Sequence, residues 1–305
     1  MSKVLVFGHK NPDTDTICSA IVMADMQNKM GVEAEATRLG EINKETKYAL
    51  DYFKAELPRM IDKVEEGQEV ILVDHNEFQQ SVDGIENAKI TTVVDHHRIA
   101  NFTTAEPLFY HAEPLGCTAT ILYRVSKMNN MPIEPQMAGL MLSAIISDTL
   151  LFKSPTCTEV DKKVAEDLAK IAGVDLDKYG LDLLKAGTDL DDLTEEELLK
   201  LDAKTIEKNG VKVVIDQVNT INIEDILKKQ DKIEEAMNKT IEKEELDLFV
   251  FVVTDILNSN SEILVLGNRK DIVEKSYKLE NNRAFLEGVV SRKKQILPMI
   301  DKNID

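Results

Sequence analysis

The sequence predicts two α/β domains, on three observations. Short apolar runs alternate with stretches of helical period along the first 186 residues. The early apolar runs end on Gly or Asp, as buried strands of a parallel sheet do where they give way to loops. Past the acidic segment Gly187-Thr188-Asp189-Leu190-Asp191-Asp192 the texture changes, and a second, smaller series of strands and helices begins. The expected architecture is an N-terminal parallel-sheet domain over 1–186, a linker over 187–194 and a smaller C-terminal α/β domain over 195–305.

Val4-Leu5-Val6-Phe7 is apolar, ends at Gly8 and predicts a buried strand. A polar loop follows, and Ile17 to Met30 predicts a helix stopped by Gly31. Val70–Val73 predicts a strand ending at Asp74, and Ile90–Val94 another ending at Asp95. Helical patterns cover about 43–54, 117–129, 136–150 and 158–172. In the second domain, Thr194 to Leu201 starts as a capped helix with Glu195, Glu196 and Glu197 in its first turn. A strand over Val211–Ile215, one amphipathic helix, a strand from Leu246 to Val253 and another over Ile263–Leu266 follow. The helix carries Ile223, Ile226, Leu227, Ile233, Met237 and Ile241 along one stripe. There is no internal repeat and no low-complexity segment.

Among the 305 residues, 55 are acidic and 37 basic, a formal net charge of −18. That balance excludes nucleic-acid binding through a broad basic surface and docking on anionic lipid. Hydrophobic residues at 43% supply a core, which aromatics at 5% and the absence of Trp make mainly aliphatic. Cys18, Cys117 and Cys157 are widely spaced with no CxxC, a pattern of thiols in a reducing compartment rather than of a structural zinc site. No signal segment and no bilayer-spanning run is visible, so the expected location is cytoplasmic with no membrane partner.

The informative feature is where acids and histidines fall. His9, His75 and His96, with His97 adjacent, lie at or just past the ends of predicted strands, as do Asp13, Asp15, Asp74 and Asp95. Ligands of open α/β sheets bind beyond the carboxyl ends of the strands. One strand-end Asp is an ordinary loop residue; His and Asp arriving together from three strand ends point to a metal site. In an extended Asn11-Pro12-Asp13-Thr14-Asp15 loop, Asp13 and Asp15 aim the same way. The plainer reading of Asp15 or Thr16 is a helix cap, which leaves His9 with Asp13 unexplained. His96 and His97, adjacent in an extended segment, are expected to point apart, one to a metal and the other to a substrate. Asp148 falls near the end of an apolar helix, against the preference for cations there, and a bound cation would compensate it. Two His and four Asp without Cys suit Mn²⁺, and the carboxylates suffice for two ions with one Asp bridging.

These residues carry a resemblance. Gly8-His9-Lys10-Asn11-Pro12-Asp13-Thr14-Asp15, Val73-Asp74-His75-Asn76 and Val94-Asp95-His96-His97-Arg98 resemble the DHH phosphoesterase superfamily, and within it the family II (manganese-dependent) inorganic pyrophosphatases. The likeness continues through Leu142–Thr149, Lys153–Thr156, Asp202-Ala203-Lys204 and Ser291-Arg292-Lys293-Lys294-Gln295, in order and across both domains. The resemblance implies a DHH metal-binding catalytic domain, a hinge and a substrate-binding domain, with the active site in the cleft between them. His9 and Asp13 would hold one metal, Asp74 would bridge, and Asp15, His96 and Asp148 would complete the second. His97, Lys204, Arg292 and Lys293 would contact the phosphoryl groups, with Asp95 and His75 orienting their neighbours. Two Mn²⁺ (Co²⁺ substituting), further Mg²⁺ arriving with the substrate, and a homodimer are implied as well.

The expected activity is hydrolysis of pyrophosphate to two phosphates by a metal-bridging hydroxide, with Asp13 the candidate proton acceptor. An exopolyphosphatase or oligonucleotide phosphatase of the same superfamily, or a non-catalytic phosphate sensor, is the alternative. Many of those relatives carry a Gly-Gly-Gly-His-type loop, which this chain lacks. If Ser291–Gln295 were a plain strand, Arg292 and Lys293 would face opposite ways, so either the segment bends or one of them reaches round.

Overall fold

In the computed structural model, which describes residues 3–188, 190 and 193–304, the apolar runs become the inner strands of two sheets. The chain divides into two units, Met1–Gly187 and Thr188–Asp305. Of the linker over 187–194, Asp189, Asp191 and Asp192 lie outside the described residues.

The first unit runs β1 (Val4–Phe7), α1 (Thr14–Lys29), β2 (Ala34–Arg38), α2 (Lys44–Phe53), β3 (Arg59–Met60), β4 (Glu69–Val73), β5 (Lys89–Asp95), β6 (Phe109–Ala112), α3 (Thr118–Met128), α4 (Pro135–Thr149), α5 (Glu159–Ala172) and α6 (Leu176–Gly187). Its sheet has the order β3-β2-β1-β4-β5-β6 and every pairing is parallel. Val6, Phe7 and Val70–Val73 are buried because helices cover both faces of a parallel sheet. The order reverses between β1 and β4, which opens a crevice at their carboxyl ends.

The second unit runs α7 (Glu195–Leu198), β7 (Lys204–Lys208), β8 (Val211–Thr220), α8 (Ile223–Leu227), α9 (Gln230–Glu244), β9 (Leu248–Asp255), β10 (Asn260–Gly267), α10 (Asp271–Glu274), β11 (Arg283–Leu286), a π-helical turn over Arg292–Ile296 and α11 (Leu297–Asn303). Its sheet, β11-β10-β9-β8-β7, is parallel only between β8 and β9. Alternate side chains feed two cores. Val213, Ile215, Val250 and Val252 pack with Ile272, Ile296 and Ile300 on one face, while Val214, Phe249, Phe251 and Val253 pack with Ile233 and Met237 on the other. This central strand, β9, is buried throughout.

Three expectations are corrected. The helix predicted from Ile17 begins at Thr14, because the Asp13 carboxylate accepts the Thr16 N–H and caps it. The single amphipathic helix is two, α8 and α9; the apolar stripe runs across the break because Ile223, Ile226, Ile233 and Ile241 pack on one face of the sheet. The strand predicted over Val211–Ile215 continues to Thr220, its polar second half hidden from a hydropathy reading. Among the described residues, no helix is long and apolar enough to cross a membrane.

Candidate metal centre

The crevice between β1 and β4 collects the strand-end residues. His9 follows β1, Asp13 caps α1, Asp15 lies in its first turn, Asp74 follows β4, His96 follows β5 and Asp148 is the penultimate residue of α4. Asp74 adopts φ +58, a left-handed conformation that Asp tolerates better than bulkier residues, while its N–H continues the sheet to Val94 O at 3.0 Å.

Among the described residues the side chains form three overlapping nests of ligand atoms, His9 with Asp13 and Asp74, Asp15 with His96 and Asp148, and Asp74 with His96 and His97. Asp74 lies between the first two. Its Oδ2 is 3.4 Å from His9 Nε2, and its Oδ1 is 3.4 Å from His96 Nε2. His96 Nε2 is also 3.7 Å from Asp148 Oδ2, and His9 Nε2 is 3.5 Å from Asp13 Oδ2. Both rings donate Nδ1–H to a backbone carbonyl, His9 to Lys10 O at 2.7 Å and His96 to Leu115 O at 3.0 Å, which leaves Nε2 of each free for a metal.

Hydroxyls and amides fix the carboxylates. Thr16 Oγ1 donates to Asp74 Oδ2 at 2.6 Å and Thr118 Oγ1 to Asp74 Oδ1 at 3.2 Å. Asp15 accepts Ser19 Oγ–H at 2.7 Å and the N–H groups of Thr118 and Ala119, at 2.7 and 3.2 Å, from the start of α3. Even so the site is short of positive charge. Burial, and then the charge of Asp74, push the Asp15 carboxyl up to about 6, and burial with the charges of Asp15, Asp13 and Asp74 drives Asp148 well above the carboxylate range. Burial alone would lower His9 and His96, yet hydrogen bonds and charges from their carboxylate neighbours raise them to about 11 and about 9. In Asp74 the two histidines outweigh burial and hold the carboxyl well below its usual value. Four carboxylates gathered around two histidines, with no thiol among them, are a donor set that fits divalent cations.

The chain bends after Asp95, which corrects the expectation that His96 and His97 point apart. Their rings stack edge to face with centroids 4.2 Å apart, and His97 Nδ1 comes within 3.6 Å of Asp74 Oδ1. Asp95 Oδ1 takes both the His97 N–H, at 3.0 Å, and its Nδ1–H, at 2.9 Å, so the half-exposed ring presents Nε2 outward. Asn76 donates to Asp95 Oδ2 at 2.6 Å and backs this pair. His75 touches none of the ligands. It bonds Val73 O at 2.9 Å and Ser81 Oγ at 3.1 Å, and burial lowers it to about 4.

The basic residues singled out in the sequence lie in the second unit. Ser291 Oγ caps a π-helical turn, so Arg292 and Lys293 belong to a bend rather than a strand. Arg292 pairs with Asp202 Oδ1 at 2.9 Å, and its N–H donates to Gln217 Oε1 at 2.8 Å. The Asp202 N–H in turn donates to Asp216 Oδ1 at 2.9 Å, which sets the start of β7, where Lys204 is exposed. Arg292 Nη1 is buried without a hydrogen-bond partner among the described residues.

Sequence reasoning missed Thr118, Asp216 and Gln217. Thr118 sits in the first turn of a helix, where Thr is ordinary, and only the polar second half of β8 hinted at the other two.

Comparison with known proteins finds two family models along the chain. Residues 3–145 match the model of the DHH family, N-terminal domain, and residues 181–303 match that of the DHHA2 domain. Over 303 residues, 98% of each chain, the sequence is 58% identical to the "Manganese-dependent inorganic pyrophosphatase" of Bacillus subtilis. The crystal structure of a Methanococcus jannaschii "putative family II inorganic pyrophosphatase" is 42% identical, covers 98% of both chains and superposes with a TM-score of 0.73.

Proposed function

This chain belongs to the family II, manganese-dependent inorganic pyrophosphatases of the DHH superfamily, and from that premise we propose that it hydrolyses inorganic pyrophosphate to two phosphates at the β1/β4 crevice. The observation that carries the reading is Asp74, whose two oxygens address two different histidines, each with carboxylates of its own. His9, Asp13 and Asp74 would hold one Mn²⁺, and Asp15, Asp74, His96 and Asp148 the other, with Co²⁺ as a substitute and further Mg²⁺ accompanying the substrate. Such a pair of ions supplies Lewis acidity and lowers the pKa of a bound water.

The remaining work belongs to side chains. His97 is fixed by Asp95 through Nδ1 and offers Nε2 to a phosphoryl oxygen. Asp13, with about half of its side chain exposed, is the most open carboxylate of the set, which suits it to take up the nucleophile's proton. Arg292, through its planar fork, and Lys204 and Lys293, as point charges, neutralise phosphoryl oxygens, the main requirement of phosphoryl transfer. Asp202 holds Arg292 in place for that contact. We take the linker as the hinge that brings these groups to the substrate, and the assembly as a homodimer.

The net charge of −18 disfavours a polynucleotide track and is compatible with a small metal-bound anhydride. Turnover of pyrophosphate should exceed that of long polyphosphate and of oligonucleotides. Faster release of phosphate or nucleotide from either polymer would favour the wider superfamily's activities instead.

A further inference from the structure

We propose that Glu45 is a positioning residue of the metal centre, whose carboxylate ties together the two helix ends that carry Asp13, Asp15 and Asp148. Glu45 lies in the first turn of α2 and touches no candidate ligand. Its Oε1 accepts Thr14 Oγ1–H at 2.6 Å and also accepts Ser147 Oγ–H. Thr14 stands between Asp13 and Asp15 at the start of α1, and Ser147 precedes Asp148 at the end of α4. One oxygen atom therefore spans the two elements that must converge to make the Asp15, His96 and Asp148 nest.

The far side of the carboxylate approaches α6. A Cβ at Gly187, the last residue of α6, would come within 2.9 Å of Glu45 Oε2 and 3.0 Å of its Cβ. The half-buried residue is bonded to α1 and α4 and lies beside the end of α6.

The physical need is clear. Asp15 and Asp148 belong to the ends of separate helices, and the nest needs both carboxylates beside His96 at once. Hydroxyl-to-carboxylate bonds from the residues next to them hold the backbone segments at a set spacing before the ion arrives. Outer partners of this kind typically govern metal affinity by about 10–100-fold. The inference rests on the reading of Asp15 and Asp148 as ligands of one ion.

Mn²⁺ titration of the metal-free, full-length protein by calorimetry tests it without recourse to turnover. Glu45→Ala should weaken at least one Mn²⁺-binding step by about 10–100-fold. Glu45→Gln keeps the acceptor oxygen and should recover affinity to within about threefold of the parent, since the two hydroxyls need an acceptor and not a charge. Activity of Glu45→Ala at limiting Mn²⁺ should fall and return in excess Mn²⁺. Undiminished Mn²⁺ affinity in Glu45→Ala, or equal losses in the Ala and Gln variants, would overturn the proposal. Should Glu45→Ala fail to fold, the Thr14→Val, Ser147→Ala double variant removes the same two bonds from the other side. It should show the same loss, and parental affinity in it would refute the inference. A parent chain that takes up no Mn²⁺ would instead refute the metal-centre reading beneath it.

Discussion

Asp216 shows how a single side chain can cost stability in order to hold a site. It is fully buried in β8, its Oδ2 has no hydrogen-bond partner among the described residues, and burial pushes its carboxyl up to about 6. The folded chain thus holds this proton more tightly than the unfolded chain, whose carboxyl titrates near 3.8. The associated stability is full below that value and is lost as pH rises towards about 6. Asp216→Asn should therefore raise the thermal midpoint relative to the parent more at about pH 7.5 than at about pH 4, the difference amounting to roughly 1–3 kcal/mol. Parallel midpoints at both pH values would contradict this. What Asp216 provides in return is the hydrogen bond to the Asp202 N–H, one step from the pair that holds Arg292. Such a residue is not legible in sequence, where an Asp in the middle of a strand reads as the strand's end. The strand-end positions of His9, Asp74 and His96 were legible because each lies within two residues of the end of an apolar run. The shared orientation of His96 and His97 was not, since it depends on a bend that the Asp95 side chain makes by accepting the His97 N–H.

At the scale of elements, α1, α2 and α4 form the frame beneath the ligands, and their fit is tight. A Cβ at Gly139 in α4 would meet the Phe53 ring of α2 at 2.2 Å. Gly139→Ala should therefore destabilise the protein by about 1–3 kcal/mol through overpacking, although Ala is the better helix former by about 1 kcal/mol. A denaturant midpoint at or above the parent's would show that Phe53 moves aside freely. The element pattern was readable where burial dictates composition. The predicted helix over 158–172 matches Glu159–Ala172, where a Thr158–Asp161 capping box marks the start. It was unreadable where packing overrides local pattern. β2 and β6 are short and partly polar, and the stripe from Ile223 to Ile241 follows one sheet face across a helix break. The start of α1 went unread because Asn-Pro-Asp suggests a loop until the cap at Asp13 is seen.

For the whole molecule, the alternation of strands and helices and the change of texture near residue 187 were enough to place it in the α/β class with a smaller second unit. Sheet order, and with it the crevice between β1 and β4, is set by long-range pairing that no local pattern records. The division of labour proposed above follows that architecture: the first unit gathers metal ligands, and the second presents Lys204, Arg292 and Lys293. It would also reconcile a charge of −18 with an anionic substrate, because two divalent ions, as proposed above, would cancel the four carboxylates locally. The central claim is that Asp74 stands between two metal positions rather than beside one. Counting Mn²⁺ retained per chain, by equilibrium dialysis followed by elemental analysis, tests it most directly. The account predicts two ions per chain in the parent protein, with pyrophosphate hydrolysis lost when they are chelated and restored when they are returned. One ion per chain with full activity, or none, would contradict it.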